Sequence, residues 1–160
     1  MHCFTESWEV RRLDGDELAQ FRACFDHHYW STIPAISGAV DACCDLVHAG
    51  YELVCVSAIE AQYAEARLQN LRHCGFPIER MIATDNAEIN DSPKAAALRE
   101  LQPVVFVDDF LPYLRGIPDN IHAALILREP NGSPNVGTNL AWAHSRHADL
   151  ADFTLWWLNR

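Results

Sequence analysis

Residues 102–110 read QPVVFVDDF, and no other stretch narrows the possible folds as much. Val104, Val105, Phe106 and Val107 form a short continuous apolar run, the pattern of a strand covered on both faces. Helices normally supply that cover. One is expected just upstream, over residues 93–101, with Ser92 as its N-cap and Pro93 as its first residue, where a missing N–H is harmless. Helix and strand signals alternate from about Ile36 onward, which predicts an α/β layer fold with a mostly parallel sheet.

The other elements follow from spacing. Ala39, Val40, Cys43, Leu46 and Val47 recur at helical intervals over residues 37–48, and Gly50 is a stop. ELVCV, residues 52–56, predicts a buried strand. Residues 61–73 predict an amphipathic helix with Ala64, Leu68 and Leu71 on one side, and residues 80–83 a short strand. A short helix over 111–115, a strand over 123–127, a loop over 128–139 and a closing helix over 149–158 complete the pattern. Leu150, Phe153, Trp156 and Trp157 give that last helix aromatic packing. In the first third, residues 16–25 read as a helix and the aromatic segment 27–34 as irregular. Before Leu13 there is no buried-strand signal: Trp8, Val10 and Arg12 alternate with Glu9, Arg11 and Leu13, as in an exposed edge.

A chain of 160 residues with 49% apolar content fits one domain with a real core. Its 22 acidic against 12 basic residues give a net charge of −10, which argues against nonspecific nucleic-acid binding. A phosphorylated substrate is still compatible, because a bound divalent cation inverts the local field. No apolar run reaches the roughly 18–20 residues of a membrane span, and residues 1–16 lack a signal-peptide layout. A cytoplasmic protein with no membrane partner is the expectation. Cys43, Cys44 and Cys55 sit in apolar patterns, and no C-x-x-C pair occurs, so the six cysteines read as reduced, buried thiols, with structural disulfides the alternative, rather than as zinc ligands.

Asp108 and Asp109 follow directly on the buried run. Ligand sites in open α/β sheets lie at the carboxyl ends of strands, and two adjacent carboxylates there need a cation or donors nearby. Mg²⁺ suits them, being a hard ion held by one or two carboxylates, waters and substrate phosphate. An acidic turn in which one aspartate caps the next helix is the alternative. Ser57, at the end of ELVCV and ahead of a helix, is placed either to hold an anionic oxygen or simply to cap. Lys94 opens the helix PKAAALREL, where the helix dipole disfavours a cation, so a functional demand or plain solvation must explain it.

In order, Ser57, Lys94 and the Asp108–Asp109 pair resemble the later motifs of the haloacid-dehalogenase-like (HAD-like) hydrolases. IPAISGAVDACCDLVHAGYELVCVSA is similar to the stretch leading into that family's second motif. KAAALRELQPVVFVDDF is similar to its third and fourth motifs run together. The resemblance implies a three-layer Rossmann-like fold and a Mg²⁺-dependent phosphohydrolase acting on a small phosphorylated metabolite or nucleotide. It implies that Ser57 hydrogen-bonds the phosphoryl group, that Lys94 neutralises it, and that Asp108 and Asp109 hold or orient the metal. It divides the chain into a partial cap or lead-in, residues 1–33, and a core, residues 34–160.

The family's nucleophilic aspartate, in an apolar-run-then-D-x-D-G pattern, has no counterpart upstream of Ser57. RRLDGDEL, with Asp14 and Asp16, has the wrong order and no apolar run before it. In this family the missing strand is central, between the one ending at Ser57 and the one ending at Asp108. Those two must then pair directly, or another segment must fill the gap. Either a first motif lies upstream of Met1, or the protein is a non-catalytic α/β binding or scaffold protein. An incompletely filled sheet also leaves room for a partner chain. His27 and His28, beside Tyr29 and Trp30, are candidates to touch a leaving group or to be ordinary surface residues around aromatic packing. His144 and His147 have a zinc-compatible spacing without an evident third ligand.

Overall fold

The computed structural model describes residues 13–85, 91–127 and 135–160. The exposed edge expected upstream of Leu13 lies outside them, as does most of the loop expected over residues 128–139.

The DGD string opens a helix, Gly15–Ala23 (α1), with Asp14 as N-cap and Asp16 and Glu17 in the first turn, where the dipole favours acidic groups. The segment expected to be irregular contains a second helix, His27–Thr32 (α2). HHYWST has weak helix propensity, but Asp26 caps it by accepting from the Tyr29 N–H at 2.9 Å. Edge-to-face rings support both helices: Phe21 on Phe25 at 5.1 Å, Phe25 on Tyr29 at 4.9 Å and Tyr29 on Trp30 at 5.0 Å.

Ala39–His48 (α3) is followed by Val54–Ser57 (β1), a 3-10 turn Ala61–Tyr63, Ala64–His73 (α4) and Arg80–Ala83 (β2). Ala95–Leu101 (α5) then leads into Val105–Asp108 (β3), a 3-10 turn Leu111–Leu114 and His122–Ile126 (β4). A 3-10 segment Thr138–Trp142, Ser145–His147 (β5) and Leu150–Leu158 (α6) complete the described chain. The last strand was not predicted. Its three residues are polar, and it adds to the open side of β4.

Among the described residues all pairings are parallel, but the strands form two sheets, β1–β2 and β3–β4–β5. This replaces the single sheet expected from sequence with two among the described residues. Among the described residues β1 and β3 do not pair, and no strand stands between them. They are joined by packing instead. Val56 of β1 lies against the core cluster of Leu98, Phe106, Leu111, Leu114, Ile121, Ala123 and Leu125.

β3 is covered on both faces, as its apolar run requires. Phe106 packs with Leu98 of α5 and with the turn Leu111–Leu114. Val105 and Val107 face the opposite cluster, built on Leu46 of α3 and Phe153 of α6. The result is a helix–sheet–helix, Rossmann-like α/β arrangement. No helix among the described residues is long and apolar enough to cross a membrane.

Candidate functional site

The carboxyl end of β3 and the start of α5 meet. Lys94, at the N-cap position of α5, is only 8% exposed. Its Nζ lies 2.5 Å from Oδ2 of Asp108, which is 7% exposed. The ammonium also sits 4.6 Å from the centre of the Tyr113 ring and 5.6 Å from that of Phe106. A cation that looks misplaced at a helix start is thus directed inward, onto a carboxylate. The N-cap is Lys94 and not Ser92 as expected: the helix begins at Ala95, and Ser92 Oγ accepts from the Lys94 N–H at 3.2 Å in the turn before it.

The other oxygen of Asp108 accepts from the Phe110 N–H at 2.9 Å. Burial raises the Asp108 carboxyl above its ordinary range, against the pull of the Lys94 ammonium and with the charge of Asp109 adding to the rise. Burial also raises the Cys55 thiol of β1, opposed by Arg67 and Lys94 and helped by Asp108. The two sheets therefore lie within electrostatic reach of each other at this point.

Two devices hold the pair in place, and neither had a sequence signal. Asn135, 6% exposed, accepts from the Leu111 N–H at 2.8 Å and donates to the Asp109 carbonyl at 3.0 Å, bracing the loop that carries both aspartates. On the lysine side, the Ser92 N–H donates to the Arg115 carbonyl at 3.0 Å, and the Arg115 guanidinium to the Asp91 carbonyl at 3.1 Å. Arg99 pairs with the Asp91 carboxylate and donates to the Gly116 carbonyl at 3.0 Å. An asparagine in a loop and an aspartate before a serine look like ordinary turn residues until the fold supplies their distant partners.

Ser57 ends β1 half-buried, its carbonyl accepting from the Thr84 N–H at 2.9 Å. Among the described residues no hydrogen bond joins its hydroxyl to Lys94 or Asp108. Asp109 is half-buried beside Asp108. Carboxylate oxygens suit Mg²⁺, but both oxygens of Asp108 are already hydrogen-bonded. Among the described residues no group of three or more His, Cys, Asp or Glu comes together. The carboxylates of Asp108 and Asp109 are of the chemistry that Mg²⁺ takes, and among the described residues they do not make a closed metal cage.

Near Ser57 a cleft of about 520 Å³ opens between α1, α2 and the carboxyl ends of β1 and β2. It is lined by Arg22, Phe25, Trp30, Glu60, Tyr63 and Asp85, over a floor of Ala58 and Ile59. His27 and His28 are exposed and do not line it. Asn70 of α4 fixes its far wall, donating to the carbonyls of Ser31 at 3.0 Å and Ile33 at 3.1 Å. His144 and His147 are committed elsewhere. His144 Nδ1 accepts from the Ala123 N–H at 2.8 Å, and His147 Nε2 lies 2.9 Å from Ser145 Oγ.

No family model and no curated protein matches this chain. Among solved structures it is similar to a phosphonoacetaldehyde hydrolase-like protein from Oleispira antarctica, of the HAD family, with a TM-score of 0.60 and 12% identity. The likeness covers 93% of this chain and 66% of that one, so the chain spans just under two thirds of the other's length. At this identity the likeness is one of α/β fold alone.

Proposed function

We propose that this chain carries the phosphoryl-binding part of a HAD-like, Mg²⁺-dependent phosphohydrolase site for a small phosphorylated metabolite or nucleotide. The observation that carries the reading is the buried Lys94–Asp108 pair at the carboxyl end of a parallel strand. A lysine sequestered from water and aimed by a carboxylate is a preorganised charge for phosphoryl oxygens. Asp108 aims it, Ser57 donates to a phosphoryl oxygen, and Asp109 with waters and substrate phosphate holds the cation. When bound, Mg²⁺ neutralises phosphate charge. Residues 1–33 act as a partial cap over a core of residues 34–160, in a cytoplasmic protein. The sequence supplies no identifiable attacking carboxylate, and that is where the two readings of the protein part.

Phosphate release from p-nitrophenyl phosphate with Mg²⁺, from this chain and from any longer in-frame product of its gene, tests the enzyme reading. Turnover that falls about a hundredfold or more in Lys94→Ala supports it. The absence of turnover from both, together with no Mg²⁺-dependent phosphate binding, overturns it. The division of the sheet between β1 and β3 favours a second reading, a non-catalytic binding protein of the same fold. That reading expects Asp108-dependent phosphate or cation binding with no turnover.

A further inference from the structure

We infer that the cleft between α1, α2 and the β1–β2 edge binds the flat, donor-bearing body of a nucleoside, so that the phosphorylated ligand of this site is a nucleotide. The inference deepens the phosphoryl-site reading and rests on it for the phosphate end only.

Position is the first argument. Ala58 and Ile59 on the cleft floor directly follow Ser57, and Asp85 ends the neighbouring strand's extension. The Thr84 N–H donates to the Ser57 carbonyl at 2.9 Å and the Asp85 N–H to the Ile59 carbonyl at 3.1 Å. The cleft thus begins one residue beyond Ser57, within reach of the organic part of a ligand whose phosphate is held there.

The lining is the second. Phe25 and Trp30 from the α1–α2 ring cluster, and Tyr63 from elsewhere in the chain, provide aromatic surface that suits a stacked ring. Glu60 and Asp85 provide carboxylate acceptors for amino or hydroxyl donors, and Arg22 a donor fork for ring or sugar acceptors. Asp85 is held at φ +53°, in the left-handed region, by a backbone bond to the β1 loop.

Volume decides between two chemistries that aromatic rings and carboxylates share. A compact quaternary ammonium group fits an aromatic cage but leaves most of 520 Å³ unfilled. A base and ribose match a cleft of this size. The walls are also fixed independently of any ligand, by Asn70 on the Ser31 and Ile33 carbonyls and by the Trp30 Nε1–H on the Phe25 carbonyl at 3.1 Å.

Calorimetry on the full chain with adenosine monophosphate, adenosine, phosphocholine and inorganic phosphate, each with Mg²⁺, tests the inference. Adenosine monophosphate is expected to bind more tightly than phosphate or phosphocholine, and adenosine to bind measurably without any phosphate. Tyr63→Ala and Trp30→Ala should each weaken both adenine ligands about tenfold. Tyr63 stands apart from the α1–α2 ring cluster, so its variant remains informative if Trp30→Ala unfolds that segment. Asp108→Asn should weaken the nucleotide and leave adenosine unchanged. If adenosine does not bind at millimolar concentration, or Tyr63→Ala leaves its affinity untouched, the cleft assignment is overturned. If adenosine binds and Tyr63→Ala weakens it, but Asp108→Asn changes nothing, the cleft assignment stands and the phosphoryl-site reading falls.

Discussion

Lys94 Nζ and Asp108 Oδ2 face each other at 2.5 Å in a place that water scarcely reaches. Taking both charges out of water costs several kcal/mol, which their attraction only partly repays. The raised Asp108 carboxyl reports the same unpaid desolvation. Removing one partner strands the other. Lys94→Met is therefore expected to destabilise the protein by about 3–5 kcal/mol, whereas Lys94→Met with Asp108→Leu should be neutral or more stable by about 1–4 kcal/mol. Urea denaturation of the three proteins measures this. A double variant less stable than the single one would show that the pair stabilises the fold rather than serving a site.

The acidic loop depends on one side chain. Asn135→Ala leaves the Leu111 N–H and the Asp109 carbonyl without their buried partner, at a cost of about 2–3 kcal/mol. Faster hydrogen exchange at the Leu111 amide should accompany the loss. Unchanged exchange there would mean that the loop keeps its shape without the asparagine.

Gly116 tests the clamp on the lysine side. Its φ is +73°, and an added Cβ would lie 2.5 Å from Cγ of Asp91, the residue that Arg99 holds. Gly38 has a similar φ of +77° with nothing within 4 Å. Gly38→Ala should therefore show the backbone cost alone, about 1 kcal/mol, and Gly116→Ala that cost plus the displacement of Asp91. Equal losses in the two variants would mean that Asp91 moves aside freely.

How much of this was legible depended on whether a residue's partner is local. The apolar run before Asp108 announced a strand covered on both faces, and Ser92–Pro93 announced a helix start, because each signal lies within a few residues. The division into two sheets among the described residues had no such local signal, because strand pairing joins segments far apart in the chain. Asn70 and Asn135 were silent, because their acceptors and donors lie far along the chain and asparagine carries no periodicity. β5 was missed for a related reason. Ser145, Arg146 and His147 look polar, yet His147 is 5% exposed, buried against Phe153 and Trp156 of α6. The helix α2 was hidden by its composition, since tertiary ring packing and an aspartate cap outweigh the poor propensity of histidine, tyrosine and tryptophan.

That same β4–β5–α6 corner predicts a weakness to acid. His122 Nε2 lies 2.8 Å from Ser145 Oγ, and His147 Nε2 lies 2.9 Å from the same hydroxyl. Burial holds the His122 imidazole below its ordinary range, and Arg160, His144 and His147 add to the depression. Asp152 of α6 faces the neighbouring His147, 3.4 Å from its Nδ1. A base with a depressed folded pKa stabilises the fold fully above its unfolded value of about 6.5 and loses that contribution as pH falls through the folded value. The stability difference between the parent chain and His122→Gln should thus be constant above pH 6.5 and shrink below it, because glutamine cannot take up the proton that favours the unfolded chain. Denaturation midpoints measured at intervals from pH 8 to pH 5 give this difference directly. A gap that stays the same across that range would remove His122 as the source of the acid sensitivity.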